Sequence, residues 1–162
     1  MKINIAQLLQ EIGACQSFRF LCRPKILEDD SLVAGNIEVE GEVVNIGSYL
    51  TVSGVIRGEA NRTCNRCLKA YTASVVVPFN EKWRQAADDL EVFTYQGEEI
   101  DISELIRENL VLAEPIKSLC KETCRGLCPI CGADLNTTEC NCVRDDIDPR
   151  LAALQKLLEN KQ

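Results

Sequence analysis

Eight cysteines stand at spacings that suit capture of a metal ion. Cys64-Asn65-Arg66-Cys67 and Cys128-Pro129-Ile130-Cys131 each separate two thiols by two residues, and Cys120, Cys124, Cys140 and Cys142 crowd around the second pair. Two thiolates so spaced reach one tetrahedral ion, and an all-cysteine set without an open position makes a structural rather than a hydrolytic site. Pro129 stiffens its turn, and Gly132 permits positive φ where backbone N–H groups point at sulfur. Zinc is the expected ion, two per chain. The tightest grouping is Cys128, Cys131, Cys140 and Cys142, because a short loop joins two close pairs. Cys64, Cys67, Cys120 and Cys124 then form the other site across a long interval. Exchanged pairs, one site with four free thiols, or an iron–sulfur centre remain open from spacing alone.

Thiol redox chemistry is the rival reading, since both Cys-x-x-Cys pairs fit it and nearby arginine lowers a thiol pKa. A thioredoxin-type pair belongs near a βαβ pattern, whereas Cys64 and Cys67 fall between two strand-like runs. The chain has no histidine, which excludes Ser-His and Cys-His nucleophiles. It has neither a GxxxxGK[ST] nor a GxGxxG phosphate loop. No carboxylate pair stands out as an acid/base couple, so the expectation is a protein that is not an enzyme and has no small-molecule substrate.

The 162 residues suit one ordinary domain with a small appended module. Residues 1–15 carry Gln7, Gln10 and Glu11 among their apolar positions, unlike a secretory or membrane-spanning segment, so a cytoplasmic location is expected. Reducing cytoplasm favours metal sites for ten cysteines; a secreted chain would favour five disulfides. A net charge of −7 excludes a uniform basic coat. Acids gather at Glu28-Asp29-Asp30, Glu38/Glu40/Glu42, Asp88-Asp89 and Glu98-Glu99, while Arg62, Arg66 and Lys69 flank the first cysteine pair and Lys117, Lys121 and Arg125 thread the second cluster. If the clusters meet, these six cations form a local face fit for RNA phosphates; otherwise they are solvated charges or offsets to the metal-bound thiolates.

The elements that would position these groups make an α+β fold: an antiparallel β-meander covered by helices, with a C-terminal cysteine-rich zinc module. Residues 1–5 suit a short edge strand and 6–12 a brief amphipathic helix with Leu8, Leu9 and Ile12 on one face, stopped by Gly13. Phe18, Phe20 and Cys22 alternate as a strand, with Cys15 and Cys22 expected as small buried hydrophobes. Ile37, Val39, Gly41 and Val43 alternate with three glutamates, the mark of a strand with one wet face. After a turn at residues 45–48 come a strand through Leu50, Val52, Gly54 and Ile56 and another from Tyr71 toward Trp83, so Cys64 and Cys67 fall at a hairpin end. Residues 85–99 suit a loop with one short strand. Asp101-Ile102-Ser103-Glu104 resembles a capping box ahead of a stripe of Ile102, Leu105, Ile106, Leu110 and Ala113 that Pro115 ends. Asp148-Pro149 opens a last helix with Leu151, Leu154, Leu157 and Leu158. The expected units are 1–115, the sheet domain; 116–147, the metal module packed on the hairpin at 64–67; and 148–162, the C-terminal helix.

The chain resembles the bacterial YceD family, the large ribosomal RNA subunit accumulation proteins. The resemblance rests on Cys64-Asn65-Arg66-Cys67-Leu68, Ile100-Asp101-Ile102 with Ile106-Arg107-Glu108, Pro115 followed by Cys120, residues 126–132 (GLCPICG) with Leu135-Asn136, and Asp148-Pro149-Arg150-Leu151. It implies a role in accumulation or processing of 23S rRNA, with rRNA or the assembling large subunit as partner and no enzymatic activity. Some relatives lack the downstream cysteines, which implies that the metal supports this branch's fold. A ribosomal protein or processing nuclease is the alternative partner, suited to the acidic total charge.

Overall fold

The computed structural model describes residues 1–22, 33–85 and 92–142. The expected helix at 148–162 and the acids at 28–30 and 88–89 lie outside them. The elements in chain order are β1 (Lys2–Asn4), a 3-10 turn (Leu8–Gln10), β2 (Cys15–Cys22), β3 (Ile37–Asn45), β4 (Leu50–Thr63), β5 (Ala70–Arg84), β6 (Phe93–Thr94), β7 (Glu99–Asp101) and α1 (Ser103–Leu112).

Period-2 alternation builds the main sheet. Ile37, Val39 and Val43 of β3 point into the core with Val52 and Ile56 of β4 and Val75, Val77 and Phe79 of β5, while the intervening residues face outward. Strands β2 to β5 pair antiparallel in chain order, and β6 adds in parallel to β5, so the sheet is mixed. On the outer face Arg19 Nε donates to Glu38 Oε1 at 2.7 Å and Arg57 pairs with Glu40. The glutamates of the wet face are thus largely neutralised within the sheet. Phe18, Gly41, Gly54 and Phe79 form one cross-strand row, in which the two phenyl rings fill the space where glycine Cβ atoms would stand.

The layer over the core face departs from the expectation of several helices. Among the described residues only α1 is α-helical, and it buries Leu105, Ile106 and Leu110. The rest of the cover is extended chain: β1 pairs with β7 in a separate two-stranded sheet, bringing Ile3, Ile5 and Ile100 onto the same core. Residues 6–12 shorten to the 3-10 turn, in which Leu8 is buried while Leu9 and Ile12 are exposed. Buried Asn45 explains the shortening, since its Nδ2 donates to the carbonyls of Leu8 at 2.7 Å and Glu11 at 3.1 Å and holds the segment as a turn. Cys15 is exposed, not a core residue, with Sγ 3.4 Å from Glu42 Oε2. The start of α1 is also simpler than a capping box. Asp101 Oδ1 accepts from Ser103 N at 3.0 Å, but Glu104 turns to Arg107 instead of reaching back to the main chain.

The longest feature is the β4–β5 hairpin, paired from Leu50 opposite Trp83 to Thr63 opposite Ala70. Its tip is residues 64–69, and the chain leaving α1 runs back to meet it: Asn65 N donates to Ser118 O at 2.8 Å.

Candidate metal centres

Both Cys-x-x-Cys segments fold into the same knuckle. Cys64 N donates to Lys69 O at 2.9 Å and Leu68 N to Cys64 O at 2.9 Å; Cys128 N donates to Ala133 O at 2.8 Å and Gly132 N to Cys128 O at 2.9 Å. Each loop turns its amides inward, so both sulfurs of a pair face one point.

The structure brings the eight cysteines into two quartets, Cys64, Cys67, Cys120 and Cys124, and Cys128, Cys131, Cys140 and Cys142, with the sulfurs of each within 4.8 Å of one another. In the first, Cys64 and Cys124 sulfurs stand 3.8 Å apart and Cys67 and Cys120 sulfurs 3.6 Å. Four zinc–sulfur bonds of about 2.3 Å in a tetrahedron put sulfurs ~3.8 Å from each other. These separations fit an ion-sized centre and far exceed the ~2.05 Å of a disulfide bond. Each quartet can hold a metal ion. The first joins the hairpin tip to the segment after α1; the second closes residues 128–142 on themselves.

Hydrogen bonds position the sulfurs. Leu127 N donates to Arg66 O at 3.0 Å, and Arg66 Nη1 donates to Cys124 O at 2.8 Å, so the hairpin knuckle docks on residues 120–127 through hydrogen bonds as well as through the sulfurs of the first quartet. Asn136 Nδ2 donates to Cys124 Sγ at 3.4 Å while its Oδ1 accepts from Arg125 N at 2.9 Å. Spacing alone did not reveal Asn136 as a support for a sulfur of the other quartet; its place after Asp134, whose Oδ1 accepts from Asn136 N, is a local Asx turn.

Backbone amides at Cys120, Cys67 and Arg66 hold the Cys64 thiol down to about 6, and those of Cys131 and Ile130 do the same for Cys128, also to about 6. Burial and the neighbouring sulfurs push Cys120 up to about 12, and the sulfur of Cys131, with burial, pushes Cys142 up to about 12. Four thiolates cannot share so small a space without a cation to offset their charge.

Of the six cations singled out from sequence, Arg62 lies on β4, Arg66 and Lys69 on the hairpin tip, and Lys117, Lys121 and Arg125 on the segment after α1 that carries Cys120 and Cys124, and they differ in freedom. Lys69 Nζ lies 2.6 Å from Asp134 Oδ2, and Arg66 is spent on the carbonyls of Cys124 and Glu122. Arg62 is half-buried, its Nε enclosed. Lys117, Lys121 and Arg125 are exposed and have no ion pair among the described residues.

Fold and site define a class: a β-sheet protein whose longest hairpin is capped by a double thiolate knuckle. Residues 52–158 match the family described as large ribosomal RNA subunit accumulation protein YceD, and the chain belongs to it. The uncharacterized protein YlbN of Bacillus subtilis is 29% identical over 98% of this chain and 97% of its own length. The large ribosomal RNA subunit accumulation protein YCED homolog 1 of Arabidopsis thaliana, chloroplastic, is 26% identical over 78% of this chain and 50% of its own. An uncharacterized protein of Mycobacterium tuberculosis is 27% identical over 75% of this chain and 62% of its own, so the chain spans about half to three-fifths of several of these relatives. No solved structure matches. Among the described residues no helix is long and apolar enough to cross a membrane.

Proposed function

We propose that the protein is a non-enzymatic, cytoplasmic factor that promotes accumulation of large-subunit rRNA, with structural zinc in both quartets. The observation that carries this reading is the family match over residues 52–158, which takes in the long hairpin, α1 and both quartets. The match contains all six cations named from the sequence. An all-thiolate quartet leaves no ligand position for water, so zinc there would hold the hairpin tip to the module without supplying a nucleophile. Lys117, Lys121 and Arg125 are the phosphate contacts, with Arg62 of the hairpin as a fourth; Arg66 and Lys69 serve the fold and offset the thiolates.

Crosslinking the chain to RNA in cells and sequencing the attached fragments tests the partner. Enrichment of large-subunit rRNA supports the reading, and a profile matching total RNA abundance sinks it. A ribosomal protein or nuclease as first contact is the second reading. It is favoured by Leu112 and Ile116, apolar residues 83% and 97% exposed beside Lys117. In that case the chain would co-purify with protein after ribonuclease treatment.

A further inference from the structure

The two quartets are built alike and sit in unlike surroundings. Cys64, Cys67 and Cys124 are buried and Cys120 half-buried, packed with Tyr71, Leu119 and Leu127. In the other quartet only Cys128 is buried; Cys140 and Cys142 are half-buried and Cys131 is exposed. The first ties residues 53 and 60 positions apart and is backed by hydrogen bonds at Asn65, Arg66 and Leu127, so opening it requires the hairpin tip to move off the module. The second spans one short loop, and opening it loosens residues 128–142, including Asn136, the donor to Cys124 Sγ, while the four sulfurs of the first quartet stay on their own segments.

We propose that Cys128, Cys131, Cys140 and Cys142 form an exchangeable, peroxide-sensitive site, while Cys64, Cys67, Cys120 and Cys124 form a permanent staple. The inference rests on the reading that both quartets hold a metal ion. The exposed Cys131 thiolate attacks one oxygen of hydrogen peroxide; the O–O bond breaks, sulfur becomes a sulfenic acid, and the departing hydroxide takes a proton to give water. Cys140 or Cys142, whose sulfur lies within 4.8 Å, then attacks the oxidised sulfur, forming a disulfide and expelling hydroxide that becomes the second water. Two thiolates lose two electrons and peroxide gains them. The site, left with two of its four ligands, gives up its ion, and a thiol reductant restores it. The same loop carries Asp134, so its opening removes the ion-pair partner of the already exposed Lys69.

The test uses the full chain loaded with zinc, exposed to hydrogen peroxide or to a chelator, and read by native mass spectrometry with mapping of alkylated and disulfide-linked cysteines. The expected result in both arms is a species with one ion and unmodified Cys64, Cys67, Cys120 and Cys124, with a disulfide that includes Cys131 in the peroxide arm and alkylated Cys131 in the chelator arm, and the second ion lost at least about tenfold more slowly because its release needs a larger opening. Cys131→Ser should abolish the disulfide and leave the staple's ion in place. Simultaneous loss of both ions, or first oxidation at Cys64, Cys67, Cys120 or Cys124, overturns the inference and leaves the zinc reading intact. A chain that takes up fewer than two ions overturns both.

Discussion

Leu68 and Gly132 occupy the same place in two knuckles of one hydrogen-bonded design, each donating its N–H at 2.9 Å to the first cysteine of its pair, at φ of 58° and 72°. Glycine takes that conformation freely, whereas a leucine there costs roughly 1–2 kcal/mol. Leu68 is 65% exposed, so little burial offsets the cost. Leu68→Gly should therefore stabilise the zinc-loaded chain by about 0.5–1 kcal/mol after the extra freedom of glycine in the unfolded chain is counted. Gly132→Leu should cost about 1–2 kcal/mol. Urea denaturation at fixed zinc concentration measures both.

Thiol protonation sets the pH dependence of metal uptake. Cys120 and Cys142, each pushed up to about 12, hold their protons at neutral pH until an ion displaces them, while Cys64 and Cys128, at about 6, are largely ionised above pH 7. Affinity should fall as pH falls, and loading should release about two or more protons per ion at pH 7. Calorimetry in buffers of different ionisation enthalpy counts them.

Asp101 makes a separate pH prediction away from sulfur. Hydrogen bonds from Ser103 and from the N-terminal amine hold its carboxyl at about 2 against an ordinary 3.8. A folded value below the unfolded one means stability complete above pH 4 and lost as pH falls through 2. Asp101→Asn should cost about 0.5–1 kcal/mol at pH 7, a small effect because the carboxylate is half exposed. The gap from the parent chain should close below pH 3 in matched denaturation curves.

A Cβ at Gly54 would lie 2.3 Å from Glu40 O and 2.8 Å from the Phe79 ring. Gly54→Ala must shift main chain or an enclosed ring and should cost ~2–3 kcal/mol. Thermal unfolding followed through the buried Trp83 reads the loss.

Cation freedom separates binding from folding. Lys117→Glu, Lys121→Glu and Arg125→Glu together should weaken RNA binding and reduce its salt dependence while leaving thermal stability near the parent's. Arg66→Glu should instead destabilise the chain, because Cys124 O loses its donor. Filter binding over a salt series, alongside melting curves, distinguishes the two. Unchanged binding in the triple variant removes this face from the account.

Local patterns carried the parts of this protein that depend on neighbours in sequence. Glutamates alternating with Ile37, Val39 and Val43 marked β3, and Cys-x-x-Cys spacing with a short connecting loop pointed to the quartets that the structure assembles. The pairing of β1 with β7 was not legible, because Ile3 and Ile100 are joined by contacts far apart in sequence. Nor was the parallel place of β6, fixed by Phe93 stacking on Trp83 at 4.9 Å. The apolar stripe at Leu8, Leu9 and Ile12 reads as a helix, yet of the three only Leu8 is buried in the core. Charge patterning likewise marked Lys69 without its partner, since Asp134 approaches it only through the fold.

Zinc K-edge X-ray absorption on the purified chain, with metal content measured on the same sample, reaches the central claim most directly. Two zinc ions per chain are expected, each with four sulfur neighbours at about 2.3 Å. A folded chain with no bound metal, in which Cys64 and Cys124 alkylate as readily as Cys131, would contradict it.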